Sequence, residues 1–383
     1  MDNHPLRPVL AVSYPQPFCD IFLLMKVCYF GIYDPSYARN RILIDGLRQN
    51  GVEVIECQSR ARGFVKYLDL IRKHRKIESS YDAMVVGFPG YQAMILSWFL
   101  TKKPIVFDCF SSLYDSMVWD RKQISERSVG ALYFWFLDWI SMRLADRVLF
   151  DTEAHIDYAS TAFGIRKEKF RRIWIGAQTD IFSPRFSAKQ EVPGERSFLA
   201  LFFGSCIPLQ GIEYIVEAAK RLENESIHFA IIGNGQMKEK IVQFAEKLAI
   251  KNVIFFDVVS QRELPRKIAE ADICLGIFGN TAKTQHVIPN KVYECLAMKK
   301  PVITADTPAA RELLKDSDVF FVKTADSASL AEGILRLRND RKAMETLAQN
   351  GYDTFIKNAT PKILGMELKG IVEKLSRNMK HGT

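Results

Sequence analysis

Residues 287–303, VIPNKVYECLAMKKPVI, hold the side chains whose types and spacing best fit ligand chemistry. An apolar period starts after Pro289 and Asn290, which predicts a helix with Asn290 as its N-cap. Lys291 and Glu294 are three residues apart, so they share a face in the first turn. A helix N-terminus and a lysine suit a phosphate, and a carboxylate can accept hydrogen bonds from two ribose hydroxyls. The pattern favours nucleotide binding, although a solvated first turn with an ordinary glutamate also fits it.

Glycines follow two apolar runs of the second half. Gly204 ends FLALFFG, and Gly233 and Gly235 follow IHFAII and open a helical pattern. Glycine lets a backbone come close to a phosphate. The Gly-Asn-Gly sequence alone is weak evidence, because it lacks the third glycine and the acidic residue about 20 positions on of a dinucleotide fingerprint.

The elements that must position these residues alternate along the whole chain. Six apolar strand-like runs lie between residues 26 and 176, six more lie between 198 and 323, and helical patterns separate them. Continuous apolar strands alternating with helices indicate parallel sheets covered on both faces. We therefore predict an α/β fold with two Rossmann-like, doubly wound domains that face a cleft, where the carboxyl ends of the strands bind ligands.

Composition narrows the class of protein. The 383 residues carry a net charge of +9, which excludes an acidic disordered protein and permits an anionic partner. The seven cysteines form no C-x-x-C pair, so we expect buried thiols in a reducing compartment. No apolar run reaches the ~18–20 residues that span a bilayer. Residues 1–24 lack the features of a signal peptide, and we expect a misassigned start or an unstructured leader.

One basic stretch is a candidate membrane contact. Residues Arg60–Lys76 hold seven Lys or Arg against the single acid Asp69, and Phe64, Leu68 and Ile71 recur at near-helical spacing. A basic amphipathic helix is typical of membrane-surface proteins, although a solvated helix packed on its own sheet fits as well. The basic residues are not interleaved with aromatics in any recognisable module, so we expect no nucleic acid partner.

The second half resembles the carboxyl domain of GT-B-fold retaining glycosyltransferases of family 4, also described as glycosyl transferases group 1. Four segments carry the resemblance: FFGSCIPLQGIEYIVEAAKRL (202–222), FAIIGNGQMKEKI (229–241), NVIFFDVVSQRELPRKIAEADICL (252–275) and VIPNKVYECLAMKKPVITADTPAARELL (287–314). The first half is similar in its six-strand pattern and in WIGAQTDIFSP (174–184). The resemblance implies two domains over residues 25–184 and 197–360, a linker over 185–196, and a helix at about 361–378 that returns to the first domain.

The resemblance also implies an activity. It implies transfer of a sugar from a nucleotide-diphosphate donor to a glycan or lipid-linked acceptor, with retained anomeric configuration and with no cofactor or obligatory metal. Cell-envelope polysaccharide synthesis in the cytoplasm, peripherally at the inner face of the plasma membrane, fits this family. A sugar-nucleotide epimerase and a non-catalytic partner subunit that kept the fold remain open alternatives.

The family motifs assign roles to individual residues. Glu294 matches the second glutamate of the E-x7-E motif and is expected to hold the donor ribose, while His286 replaces the first glutamate. Ser205 and Gln210 stand where the family has an arginine and a lysine that grip the diphosphate, so we expect Lys291 to supply the missing charge. The donor-binding set is Gly204, Ser205, Gln210, Gly233, Gly235, Val259, Pro289, Asn290, Lys291 and Glu294.

The first half contributes fewer candidates. The family often places a histidine or aspartate at the end of the fourth strand, where Asp108 and Asp115 are the available carboxylates. Gly31 ends the first strand, and Arg39 follows it and could reach a phosphate. We therefore predict Glu294, His286 and Asp108 as catalytic residues, and Gly31, Arg39 and Asp115 on the acceptor side, although a buried aspartate and a surface arginine are common without such roles.

Overall fold

A computed structural model describes residues 24–186 and 197–381 of the chain. The predicted leader, with Cys19, and most of the predicted linker lie outside these residues. Twelve strands in the described part form two six-stranded sheets, and every strand pairing in them is parallel. The predicted α/β class with two Rossmann-like sheets is confirmed.

The first sheet has the order β2-β1-β3-β4-β5-β6 and the second has the order β12-β11-β10-β7-β8-β9. The strands are β1 (Lys26–Gly31), β2 (Glu53–Gln58), β3 (Ala83–Val86), β4 (Ile105–Asp108), β5 (Arg147–Phe150), β6 (Phe170–Arg172), β7 (Phe198–Phe203), β8 (Ile227–Ile232), β9 (Val253–Phe256), β10 (Ile273–Leu275), β11 (Val302–Ala305) and β12 (Phe320–Val322). The central strands β3 and β4 are buried along their whole length, because helices cover both faces of the sheet.

Thirteen α-helices lie in the described residues. They are α1 (Ala38–Gln49), α2 (Val65–Arg75), α3 (Tyr91–Leu100), α4 (Val129–Leu144), α5 (Glu153–Phe163), α6 (Ile212–Arg221), α7 (Lys238–Lys247), α8 (Leu264–Glu270), α9 (Asn290–Ala297), α10 (Pro308–Leu313), α11 (Ser327–Asn339), α12 (Arg341–Asn358) and α13 (Pro361–His381). None of the helices in the described part is both long enough and apolar enough to cross a membrane.

The last helix packs on the first sheet's domain. α13 lies against α1 on one face of that sheet, and α2, α3, α4 and α5 pack side by side on the other. Gly46 and Gly365 allow the close approach of α1 and α13, since a Cβ atom on either would overlap the backbone of the other helix. The chain therefore crosses back from the second half to the first after residue 360.

Three elements of the first half differ from the sequence prediction. α5 was not predicted, and a π-helical turn at Asp115–Asp120 follows β4 where only loop was expected. β6 ends at Arg172, whereas we predicted a strand over residues 172–176. α5 and the π-helical turn both lie at the carboxyl edge of the first sheet, and both contact the second half.

Candidate active site

A cavity of about 400 Å³ lies between the two halves, at the carboxyl ends of β4 and β7. We call its two sides the second-half wall and the first-half wall. The second-half wall consists of Phe203, Gly204, Ser205, Ile207, Leu209, Gln210, Val287, Ile288, Pro289, Asn290, Lys291 and Glu294. The first-half wall consists of Tyr37, Phe88, Phe110, Ser111, Ser116, Asp120, Arg121, Asp151 and Ile175. Lys283 also lines the cavity and contacts the first-half wall.

The second-half wall is built from the turn after β7 and the first turn of α9. Gly204 has φ +138°, which favours glycine, and the Lys291 ammonium lies 3.2 Å from the position that a Cβ at residue 204 would take. Lys291 is only 4% exposed. Burial lowers the pKa of Lys291 well below its usual value, and Glu294 and Cys295 partly oppose the shift. A buried ammonium thus lies directly behind an open backbone turn.

Lys291 contacts the residue that replaces the family's lysine. Its Nζ donates to Gln210 Oε1 at 2.5 Å and lies 3.4 Å from the centre of the Phe202 ring. Gln210 carries no charge, and it accepts this hydrogen bond from Lys291, the cation that we expect to supply the missing charge. Three donors on one ammonium leave room for a further acceptor beside Gln210.

Glu294 lines the cavity one helical turn after Lys291. Burial raises the pKa of Glu294 to about 7, and Lys291 opposes the shift. Asn290 is the first residue of α9, and Pro289 occupies the N-cap position without a side-chain hydrogen bond, so the predicted N-cap at Asn290 is wrong. Proline favours the extended backbone of this position, which moves the start of the helix by one residue.

The other predicted donor-binding residues lie outside the cavity lining. Gly233 and Gly235 pack the loop after β8 against the turn after β7, because a Cβ at residue 233 would overlap the Gly204 carbonyl oxygen. Val259 packs against the hydrophobic core instead of lining the cavity. The structure therefore gives the two glycines a supporting position behind Gly204, and direct contact with a donor remains a prediction for all three residues.

Arg39 and Asp108 form a buried ion pair with each other. Both side chains are fully buried, and the guanidinium donates to the carboxylate through Nε and through a second nitrogen at 2.9 Å. A further nitrogen of Arg39 donates to the carbonyl of Ile173 at 2.9 Å, beyond the end of β6. Neither side chain lines the cavity, so this geometry does not support a catalytic role of Asp108 or a phosphate contact of Arg39, and both roles stay predictions.

Gly31 and His286 are also absent from the cavity lining. Gly31 ends β1 with φ +141° and faces Tyr33 and Ala93. The His286 ring stacks on Tyr158 of α5 with centroids 5.0 Å apart, and its carbonyl accepts a hydrogen bond from Thr152. His286 therefore faces the first half next to the cavity, and its predicted direct catalytic role is not supported by this orientation.

Lys283 lines the cavity and was missed by the sequence analysis. It follows β10 in the second half, and its Nζ donates to Ser116 Oγ at 2.6 Å and to Ser111 Oγ at 2.8 Å on the first-half wall. The buried carboxylate of Asp115 lies 3.6 Å from Lys283 Nζ. This carboxylate has no hydrogen-bond partner among the described residues. Asp115 thus contacts the cation, and the predicted acceptor-side role of Asp115 would act through Lys283.

Further hydrogen bonds join the halves around the cavity. Asp120 of the π-helical turn accepts from the backbone N–H of Leu209, at 3.0 Å. The Glu312 carboxylate accepts from the N–H groups of Glu153 and Ala154, at 2.7 Å each, in the first turn of α5. A carboxylate at a helix N-terminus is a favourable pair. The two unpredicted elements of the first half therefore hold the second half against the cavity.

Comparison with known sequences connects the second half to one enzyme family. Residues 184–354 match the family described as glycosyl transferases group 1. The chain is 31% identical over 117 residues to an Escherichia coli K12 protein named for colanic acid biosynthesis, WcaI, and 25% identical over 292 residues to a Bacillus subtilis 168 protein named for teichuronic acid biosynthesis, TuaH. These matches cover 30% and 70% of this chain, and 28% and 69% of the relatives.

Solved structures resemble the whole two-domain arrangement. The Anabaena protein Alr3699/HepE, solved with UDP and glucose, has a TM-score of 0.66 at 17% identity and covers 91% of this chain and 100% of its own. Sucrose-phosphate synthase from Thermosynechococcus elongatus has a TM-score of 0.71 at 14% identity, over 92% of this chain and 99% of its own. These likenesses show the fold: the chain has the GT-B arrangement of two Rossmann-like domains around a cleft.

Proposed function

We propose that the protein is a glycosyltransferase that moves a sugar from a nucleotide-diphosphate donor to a glycan or lipid-linked acceptor, with retention of configuration. One observation carries the proposal: Gly204, Lys291 and Glu294 meet on the second-half wall, at the carboxyl end of β7 and in the first turn of α9. An open backbone turn, an ammonium and a carboxylate match the phosphate and ribose of a nucleotide. The match of residues 184–354 to glycosyl transferases group 1 supports it.

In this proposal each wall has its own task. The Lys291 ammonium and the Ser205 N–H hold the diphosphate, since the Gly204 N–H already donates to the Ile232 carbonyl. Glu294 accepts hydrogen bonds from the ribose hydroxyls. The sugar then extends toward Lys283, Ser111 and Ser116, the only hydroxyl-rich part of the described cavity lining. A cation near the bond between the sugar and the phosphate stabilises the negative charge that develops on the leaving phosphate. We propose that the reaction needs no metal or cofactor, so full activity in excess EDTA tests that part.

The acceptor and location are further parts of the proposal. The names of WcaI and TuaH refer to colanic and teichuronic acid biosynthesis, which supports an envelope polysaccharide as the product class. We propose that the protein works on the cytoplasmic face of the membrane and touches anionic lipid, with the basic segment Arg60–Lys76 as one candidate contact. α2 forms within that segment, and Phe64 and Leu68 are exposed on it.

A donor screen followed by turnover tests the function. A panel of nucleotide sugars is added to the protein and thermal unfolding is recorded, because a ligand at a hundred times its dissociation constant stabilises the native state by about 2.7 kcal/mol. Release of nucleoside diphosphate is then measured with envelope glycan extracts as acceptors. Stabilisation by one donor, with acceptor-dependent release, supports the proposal, and the absence of stabilisation by every donor contradicts it.

A non-catalytic partner subunit is the second candidate. Ser205 and Gln210 lack the charge of the family residues, and His286 faces Tyr158 instead of the cavity. Binding of a nucleotide sugar without turnover on any acceptor would favour this reading. An epimerase is less favoured, because the described cavity lining contains no histidine to move a proton at the sugar.

A further inference from the structure

α4 exposes a stripe of large apolar side chains. Val129, Leu132, Tyr133 and Phe136 recur at helical spacing, and each is between 51% and 85% exposed. The outward side of a surface helix is normally polar, so a continuous apolar stripe marks a contact surface. Two turns further on, the stripe ends at the exposed Arg143.

The neighbouring helix extends this surface. α3 packs beside α4 and ends with Trp98 and Phe99, which are 45% and 73% exposed with ring centres 5.0 Å apart. Each helix leads into the next parallel strand, so both run from the carboxyl edge of the sheet to its amino edge. Trp98, Phe99 and Arg143 therefore lie toward the same edge, opposite the nucleotide cavity. Exposed aromatic rings beside cations are typical of a membrane interface.

A cationic cavity lies at this amino edge. It has a volume of about 640 Å³ and is formed by the residues that precede β5 and β6. Its cationic lining is Arg143, Arg147, Arg166 and Lys169. The acidic lining is Asp146 and Glu168, and the Asp146 carboxylate already accepts from the N–H of Ile105 at 2.7 Å. Four positive charges against two negative ones favour an anionic ligand.

The cations of the cavity are crowded. Across residues 24–186 and 197–381, none of the four has a carboxylate within ion-pair distance. Burial lowers the pKa of Lys169, Asp146 opposes that shift, and the three arginines add to it. Backbone carbonyls accept from Lys169 and from Arg147, but they carry no charge, so an anion would balance the excess positive charge of this cavity.

We propose that this cavity binds the phosphate of an anionic phospholipid headgroup, with the α4 stripe, Trp98 and Phe99 lying against the bilayer. The continuity of the apolar stripe with the cations through Arg143 favours a lipid over free phosphate. The cations around the aromatic rings favour a bilayer over a second copy of this chain. The purpose of this contact rests on the proposed function, which is sugar transfer at a membrane. The contact itself is tested without turnover, because vesicle binding is measured directly.

Matched charge variants test the inference. The full chain is co-sedimented with vesicles of phosphatidylcholine alone and of equal parts phosphatidylcholine and phosphatidylglycerol, at low and high salt. Arg143→Gln with Arg166→Gln removes two exposed arginines at the cavity, and Arg336→Gln with Lys342→Gln removes two exposed cations from α11 and α12 in the second half. At about fivefold per cation near an anionic surface, the cavity variant should bind phosphatidylglycerol vesicles about 25-fold more weakly, and the second-half variant should stay within about twofold.

A second variant and a soluble probe separate the alternatives. Leu132→Ser with Tyr133→Ser and Phe136→Ser should lose vesicle binding at both salt concentrations. Binding of glycerol phosphate at the cavity without vesicle binding would assign the cavity to a free phosphate and overturn the inference. Equal losses in the cavity variant and the second-half variant, or a dimer of the wild type that the serine variant abolishes without vesicle binding, would overturn it too. UDP binding is measured for each variant to check that the fold is intact. A failure of vesicle binding can therefore be told apart from a failure of the proposed function.

Discussion

The two walls of the cavity are built in different ways. The second-half wall pairs residues of its own half: Lys291 in the first turn of α9 donates to Gln210 in the turn after β7, and Glu294 lines the cavity one helical turn further on. The first-half wall is held by pairs within the protein: Arg39 with Asp108 beneath it, and Lys283 with Ser111 and Ser116 on its surface. We therefore expect donor affinity to reside in the second half, and the first half to position the reacting groups.

The largest expected effect comes from the second-half wall. Glu294→Ala should reduce kcat/KM for transfer by at least about a hundredfold, because two hydrogen bonds to a charged group are lost at about 1.5–3 kcal/mol each. Glu239→Ala, an exposed glutamate in the first turn of α7, is the matched control. Activity of Glu294→Ala within twofold of the wild type would refute the ribose assignment.

Lys283→Ala should separate the walls. We expect kcat to fall by about tenfold to a hundredfold, because one charged hydrogen-bond donor at the sugar side is removed, while the Kd for UDP stays within about twofold. Lys299→Ala, an exposed lysine after α9, provides the control. If Lys283→Ala weakens UDP binding as much as loss of Lys291 does, the division between the walls is incorrect.

The diphosphate charge can be tested by calorimetry. Lys291→Ala should weaken UDP binding by about tenfold, and Gln210→Ala should weaken it less, because only Lys291 carries a charge. No change in Kd for Lys291→Ala would remove the lysine from the phosphate site.

Gln210→Lys tests the contact between these two residues. A lysine at residue 210 places a second ammonium near Lys291, whose Nζ lies 2.5 Å from the Gln210 amide oxygen. Without ligand, Gln210→Lys should therefore unfold several degrees below the wild type. UDP should bind this variant at least as tightly as the wild type and restore its unfolding temperature. Gln210→Met, without charge, should not show that recovery.

The smallest effect is a dependence on pH. Burial raises the pKa of Glu294 to about 7, and the ionised form is the better acceptor for ribose hydroxyls. UDP binding should therefore weaken as the pH falls below about 7, by at most tenfold per pH unit. Because the folded pKa exceeds the usual 4.5, the same carboxyl group lowers the free energy of unfolding as the pH rises from about 4.5 to about 7. Both trends should disappear in Glu294→Gln, and their persistence there would assign them to another group.

The sequence predicts the second-half wall better than the first. Its strands are continuous apolar runs, and Lys291 and Glu294 are three residues apart in one helix, so local periodicity is enough to bring them together. Arg39 and Asp108 are 69 residues apart, and no local pattern shows that they pair in the core. The buried face of α5 includes His155 and Ala159, which lowers the apolar contrast that reveals a helix. Lys283 carries no spacing signal at all, because its partners are on a turn of the other half.

The most direct test is a crystal structure of the protein with bound UDP. The proposed function predicts the diphosphate within hydrogen-bond distance of the Ser205 N–H that follows Gly204 and of Lys291 Nζ, and the ribose hydroxyls on the Glu294 carboxylate. Lys283 should remain with Ser111 and Ser116 and make no contact with UDP. UDP bound against Lys283 and the first-half wall, with Lys291 and Glu294 untouched, would contradict the central claim that the second-half wall holds the donor.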